Sequence, residues 1–194
     1  MELQESIEAT DAELMHRLAG GDDLALNALM GRWKTRVVSF LYKMTGHAAT
    51  AEDLAHDTFV KLYQTRHRYR LDAKLSTYLF AIANNLARNH ARWKLRHPTV
   101  ALDQDPEDAA RLIESVDPGQ TPDEAAVSAE RSKAIHHAFG ELPADLREAM
   151  TLFIYEAMSY AEISHVVGCS PKAAETRIYR ARQILKDRLK PTLR

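Results

Sequence analysis

Apolar side chains recur at helical spacing along most of this chain. Leu29, Trp33, Val37, Phe40, Leu41 and Met44 form one stripe, Ala55, Phe59 and Leu62 a second, and Leu79, Ile82, Ala83 and Leu86 a third. Side chains three, four and seven residues apart share one face of a helix, so each stripe predicts an amphipathic helix buried along one side. Residues that start and stop helices stand between the stripes. Thr10 or Asp11 is expected to cap a first helix running to Ala19, which Gly20-Gly21 ends. A longer helix over 22–45 is closed by Gly46. Thr50 opens a third, with Glu52 and Asp53 in its first turn, where carboxylates suit the helix dipole. A fourth runs from near Ser76 to about Arg96. The pattern lapses at Pro98, and Pro106, Pro118, Gly119 and Pro122 punctuate a run with room for only a loose helical turn over 109–116. Helical spacing resumes over 123–140 and 143–157, with Leu146, Met150, Phe153, Ile154 and Ala157 on one side. No segment has the period of a strand, and no repeat is visible. The expectation is an all-α chain: two small helical domains joined by a flexible linker.

The stretch from Ser159 to Arg182 has the finest punctuation. Ser159 followed by Glu162 matches a capping box. A short helix over 160–167 then buries Ile163 and Val167, and Gly168 stops it in the left-handed conformation that helix ends favour. Ser170-Pro171 is a cap followed by a residue suited to the first helical position. The next helix sets Ala173, Ala174, Ile178 and Ala181 against Lys172, Thr176, Arg177, Tyr179, Arg180 and Arg182, and Lys186, Arg188, Lys190 and Arg194 extend the charge. A helix–turn–helix with a basic second helix fits the major groove of DNA, its flanks on phosphates. The plain alternative is a helix pair with a solvated basic face.

Net charge is only −1, but its distribution is uneven. Arg66, Arg68, Arg70, Lys74, Arg88, Arg92, Lys94 and Arg96 stand against Asp72 alone; from His97 to Glu130 the acids Asp103, Asp105, Glu107, Asp108, Glu114, Asp117, Asp123, Glu124 and Glu130 face only Arg111. A basic–acidic–basic layout predicts two surfaces for anionic ligands separated by an acidic connector. Cys169 is the single cysteine, which excludes an intrachain disulfide and a cysteine-based zinc cluster. It is expected to pack as a small side chain. No apolar run is long enough to cross a membrane, and the acidic, polar opening segment resembles no signal peptide, so a cytoplasmic protein is expected.

On the fourth helix and the segment before it, arginines, asparagines and aromatics mix: Arg68, Tyr69, Arg70, Lys74, Tyr78, Asn84, Asn85, Arg88, Asn89, Arg92 and Trp93. That mixture suits unpaired bases, because cations follow the backbone, aromatics stack and amides read base edges. A basic helix end with tyrosines anchored in the core is the alternative. Trp33 lies on an apolar stripe and is expected in the core. The nine histidines are scattered, His136-His137 lack metal-ligand spacing, and no glycine-rich phosphate loop appears, so neither an enzyme nor a metal or cofactor protein is expected.

With these segments in view, the sequence resembles the compact extracytoplasmic-function group of bacterial RNA polymerase sigma factors. AEDLAHDTFVKLY and LDAKLSTYLFAIANNLARNH look like the family's region 2; ELPADLREAMTLFIYEAMSYAEISHVVGCSPKAAETRIYRARQIL looks like its region 4. The resemblance implies a region 2 domain over 1–97, an acidic linker over 98–127 and a region 4 domain over 128–194. It implies that Asp53, Asp57 and Lys61 contact core RNA polymerase. It gives Arg68, Tyr69, Arg70, Lys74, Tyr78, Asn84, Asn85, Arg88, Asn89 and Arg92 to unpaired bases of the −10 element, and Lys172, Glu175, Thr176, Arg177, Tyr179, Arg180 and Arg182 to the −35 duplex. It implies a linker threaded along a nucleic-acid path of the polymerase, and an anti-sigma factor as regulatory partner. Four positions depart from the family's pattern: Asn84 stands where many relatives carry arginine, Tyr78 where many carry tryptophan, Glu175 at a position usually basic, and Cys169 at a turn position usually filled by an aliphatic residue. The rival reading is a stand-alone helix–turn–helix regulator that binds an operator as a dimer; an RNA-binding adaptor is a third.

Overall fold

The computed structural model describes residues 2–70, 73–97, 134–135 and 137–190. The linker over 98–127, the start of the second domain over 128–133, the helical turn over 109–116, His136 and Arg194 lie outside the described residues. The described residues contain helices and no strand, so the all-α expectation holds. They divide into two compact units.

In the first unit, α1 (Glu2–Ala19), α2 (Leu24–Thr45), α3 (Ala48–Gln64) and α4 (Leu75–Arg96) surround one apolar core, with a 3-10 turn (Arg66–Arg68) after α3. The central helix is α2, which packs against the other three. Its buried face is the stripe read in the sequence: Leu29, Trp33, Val37, Phe40 and Leu41 are all buried. Phe80 of α4 meets Phe40 edge-on at 5.3 Å and Trp33 at 6.3 Å between ring centroids, the geometry aromatic quadrupoles favour. Trp33 is core, as its stripe predicts.

Glycines end these helices as expected. Gly21 and Gly46 adopt φ of 96° and 74°, and the Gly46 N–H donates to the Tyr42 carbonyl at 2.8 Å. Two expected caps are corrected. Helix α1 runs straight through Thr10 and Asp11, and Asp11 is buried within it. Its carboxylate accepts from Trp33 Nε1 and Arg32 Nη1, both at 2.9 Å, so it works as a buried tie to α2 and not as a cap. Likewise α3 begins at Ala48 with His47 at its cap position, which puts Thr50 inside the first turn.

Past the first unit's four helices, α5 (Ala144–Tyr155), α6 (Tyr160–Val167) and α7 (Pro171–Leu189) follow helical residues at 137–140, and the second unit takes all of these but residues 165–167. Arg147 ties that stretch to α5, donating from Nη2 to the carbonyls of Gly140 and Leu142. Helix α5 packs on α7, and Leu146, Ala149, Met150, Leu152, Ile178, Ala181 and Leu185 are buried. The expected stripe on α5 fails at its end. The helix stops at Tyr155, Ala157 takes φ of 51°, and Ile154 is exposed. The turn is closed by Met158 N–H on the Leu152 carbonyl at 3.3 Å, and buried Met158 supplies the apolar contact expected of Ala157.

Candidate nucleic-acid interface

The turn between α6 and α7 is built as its sequence predicts. Glu162 Oε2 accepts from the Ser159 backbone N–H at 2.7 Å, and Ser159 Oγ accepts from the Glu162 N–H at 3.3 Å, which is the reciprocal capping box. Gly168 has φ of 69°. Ser170 Oγ accepts from the Ala173 N–H at 3.2 Å, and Pro171 occupies the first helical turn. Cys169 is half-buried at this turn and outside the core, a correction to its expected packing.

Helix α7 presents two faces. Ala174, Ile178 and Ala181 are buried, while Lys172, Thr176, Tyr179, Arg180 and Arg182 are exposed, Tyr179 by 63%. Two cations in the first half of this helix lie beside carboxylates. Lys172 Nζ lies 2.7 Å from Glu175 Oε2, and that carboxylate holds the ammonium pKa above the usual lysine range. Arg177 is half-buried, its Nε 3.6 Å from Asp145 Oδ2 on α5. The Arg182 guanidinium sits 4.8 Å from the Phe153 ring centroid, and Phe153 stacks on Tyr160 at 5.8 Å. Asp145, Ser170, Lys172, Thr176, Arg177 and Arg180 line an open groove of about 350 Å³. A cationic face at the start of a capped helix suits a polyanion.

The first unit carries the other candidate surface. Tyr69 and Tyr78 pack with ring centroids 5.5 Å apart. Tyr69 Oη donates to the Ala73 carbonyl at 2.6 Å, and Tyr78 Oη donates to Thr65 Oγ1 at 2.8 Å. Both rings are half-buried, so hydroxyls fixed on the backbone and on Thr65 hold an aromatic pair at the mouth of α4. Arg68, Arg70, Lys74, Asn85, Asn89 and Arg92 are exposed and Arg88 is half-buried. Asn84 is corrected. It is fully buried, in line with Phe80, Ala83 and Ala87, and neither of its amide atoms has a hydrogen-bond partner. An outward base-reading role does not fit that position. At the far end of α4, Trp93 is 49% exposed and stacks on His97 at 4.9 Å. On the outer face of α3, Asp53, Asp57 and Lys61 are exposed beside Val60.

Sequence reasoning missed Asp145, Phe153 and Thr65, each of which holds one of the candidate residues. Asp145 and Thr65 lie far along the chain from Arg177 and Tyr78, and no local spacing links them. Phe153 sits on the apolar stripe of α5 in the sequence, and only its half-exposure in the structure marks it as a platform for a cation. Among the described residues, no cluster of histidine, cysteine or carboxylate side chains could hold a metal ion, and no helix is long and apolar enough to cross a membrane.

Comparison with known proteins agrees with this architecture. Residues 29–96 match the family model for Sigma-70 region 2, and residues 132–185 match that for Sigma-70, region 4. The RNA polymerase sigma-H factor of Pseudomonas aeruginosa is 31% identical over 188 residues, 95% of this chain and 96% of that protein. The ECF RNA polymerase sigma-E factor of Haemophilus influenzae is 28% identical over 95% of this chain and 97% of its own length. Among solved structures, CnrH in complex with the cytosolic domain of CnrY superposes with a TM-score of 0.66 at 23% identity, over 94% of this chain and 98% of that one. The sigma factor RpoE in complex with the anti-sigma factor NepR from Bartonella quintana gives 0.64 at 22% identity, over 84% and 96%. These two are likenesses of fold. On the matched regions, the 31% identity to sigma-H over nearly its full length and the likeness to ECF sigma-E factors, the chain belongs to the extracytoplasmic-function group of bacterial RNA polymerase sigma factors.

Proposed function

We propose that this sigma factor recruits core RNA polymerase to promoters by reading two elements in two ways. The unit over 1–97 takes unpaired bases of the −10 element. Tyr69 and Tyr78 supply stacking rings, Asn85 and Asn89 supply amides for base edges, and Arg68, Arg70, Lys74, Arg88 and Arg92 follow the strand. The unit over 128–194 reads the −35 element as duplex through Lys172, Glu175, Thr176, Arg177, Tyr179, Arg180 and Arg182. Asp53, Asp57 and Lys61 on α3 meet the polymerase, and the linker over 98–127 follows a path built for nucleic acid. The chain itself carries out no chemistry; capturing bases favours the opened promoter by binding it better than the closed one. It acts in the cytoplasm, and an anti-sigma factor restrains it by covering both sets of contacts. Two solved structures of similar fold are complexes with such partners or with another protein's cytosolic domain.

The observation that carries this reading is the capped helix–turn–helix whose second helix buries Ala174, Ile178 and Ala181 and turns Lys172, Thr176, Tyr179 and Arg180 outward. The test is transcription in vitro from a promoter library by core polymerase, with and without the protein. Transcripts sharing two spaced elements are expected only with it. No transcription and no core binding, with tight binding of a palindromic duplex by the free chain, would replace this reading with a stand-alone regulator.

A further inference from the structure

Three of the six cations on α7, and Lys190 just past it, lie beside an anion. Lys172 lies 2.7 Å from Glu175, one turn along the same helix. Arg177 reaches across the groove to Asp145 at the start of α5, and its Nη1 is buried with no hydrogen-bond partner. Arg188 pairs with Glu141, and Lys190 with Asp187 at 2.8 Å. Arg180 is exposed and enters no ion pair among the described residues.

This arrangement bears on how a DNA reader discriminates. Phosphates occur at every step of every duplex, so a bare cation strengthens binding to all sequences alike. A cation held by a carboxylate gains less from a phosphate, because the carboxylate stays beside it and repels the incoming charge. Base edges differ: an arginine kept in one orientation can meet a matching pair of acceptors, and a carboxylate can accept from a cytosine amino group. Intramolecular acids therefore weaken sequence-independent binding more than sequence-specific binding. Asp145 and Glu175 are placed to do this. Both side chains are about half exposed, at 52% and 45%, and each lies beside a cation of α7, exposed Lys172 or half-buried Arg177.

We infer that Asp145 and Glu175 are specificity-determining residues of the −35 reader, which hold Arg177 and Lys172 and suppress binding to non-promoter DNA. Asp145 is a positioning residue that acts through Arg177. Glu175 is placed both to restrain Lys172 and to meet a base. The inference rests on the proposal that α7 reads the −35 element.

The experiment uses the full chain assembled with core RNA polymerase. Affinity is measured for a promoter duplex taken from the library selection and for the same duplex with its −35 element scrambled, across a salt series. The variants are Asp145→Asn, Asp145→Glu and Glu175→Gln. Exposed ion pairs contribute little to folding, so thermal melts of the variants should match wild type. Asp145→Asn and Glu175→Gln are expected to bind the scrambled duplex about three- to tenfold more tightly and the promoter by a smaller factor. Each freed cation should then engage a phosphate and steepen the log–log salt dependence by about 1. Asp145→Glu keeps the charge and should retain wild-type discrimination. Equal changes on both duplexes, or an unchanged salt slope, would overturn the inference. If wild type itself does not distinguish the two duplexes, the −35 reading of α7 fails and the inference falls with it.

Discussion

Asn84 gives the sharpest test of the structure, because the perturbation it calls for should strengthen the protein. Its side chain is fully buried on the inner stripe of α4, and neither Oδ1 nor Nδ2 has a partner. Burying an amide without hydrogen bonds costs about 1–3 kcal/mol by protein mutational measures. Leucine branches at the same carbon and replaces both polar atoms with methyl groups. Crowding by the bulkier methyl groups can return about 1 kcal/mol of the gain. Asn84→Leu is therefore expected to stabilise the first unit by up to about 2 kcal/mol. Both tryptophans, Trp33 and Trp93, belong to this unit, so tryptophan fluorescence in urea follows its unfolding alone. With a denaturant slope of about 2 kcal/mol/M, the midpoint should rise by up to about 1 M. Asn84→Asp, which buries a charge at the same site, should lower it. A fall of the midpoint in Asn84→Leu would show that the amide is satisfied by a group the burial argument overlooks. Selective loss of −10-dependent transcription in a stably folded Asn84→Leu protein would return Asn84 to the base-reading set.

Further outcomes follow from single contacts. Asp11→Ala leaves the buried Trp33 indole N–H without an acceptor and removes the partner of Arg32; a loss of about 2–4 kcal/mol is expected in the same urea assay, the lower part of the range for breaking a buried pair because Arg32 is partly exposed. Ser159→Ala breaks the capping box and should cost about 1 kcal/mol, read as faster amide exchange in α6 with no change in the fluorescence-detected transition. Tyr78→Phe removes only the hydrogen bond to Thr65 and should leave most promoter opening intact, whereas Tyr78→Ala, which removes the ring packed against Tyr69, should reduce open-complex formation at least tenfold.

What the sequence made legible has a common physical basis. The α2 stripe, the Gly46 and Gly168 stops and the Ser159–Glu162 box are all local: residues within about one or two helical turns determine them, so spacing reveals them. What stayed hidden depends on distant partners. Asp11 was read as a cap because aspartate before an apolar-periodic run normally is one; its tie to Trp33 depends on α1 lying against α2. Asparagine is usually exposed, so a pair such as Asn84-Asn85 suggests surface; the structure exposes Asn85 and buries Asn84. A step of one residue turns a helix by roughly 100°, enough to move an amide from solvent to core. The end of α5 was misjudged for a similar reason: helical spacing continues on paper through Ala157, but Met158 offers a better apolar side chain once the backbone turns.

If α7 reads the −35 element as proposed, its paired charges also bear on how two weak readers would act together on the polymerase. Suppose each reader binds its element with a dissociation constant of about 0.1 mM, within the weak range of non-specific protein–DNA contacts. A free chain at about 1 μM would then occupy about 1% of such sites. Once the first reader is engaged on the polymerase, the second meets its element at an effective concentration of about 1 mM and is bound about nine times in ten. Strengthening α7 tenfold by stripping its carboxylates would raise bound occupancy only to about 99%, while free-chain occupancy would rise to about 9%. Discrimination between promoter-bound polymerase and stray DNA is thus lost faster than promoter occupancy is gained. As a reader of the −35 element, the role proposed for it, an α7 that pairs Lys172 with Glu175 and Arg177 with Asp145 would lie on the favourable side of that trade.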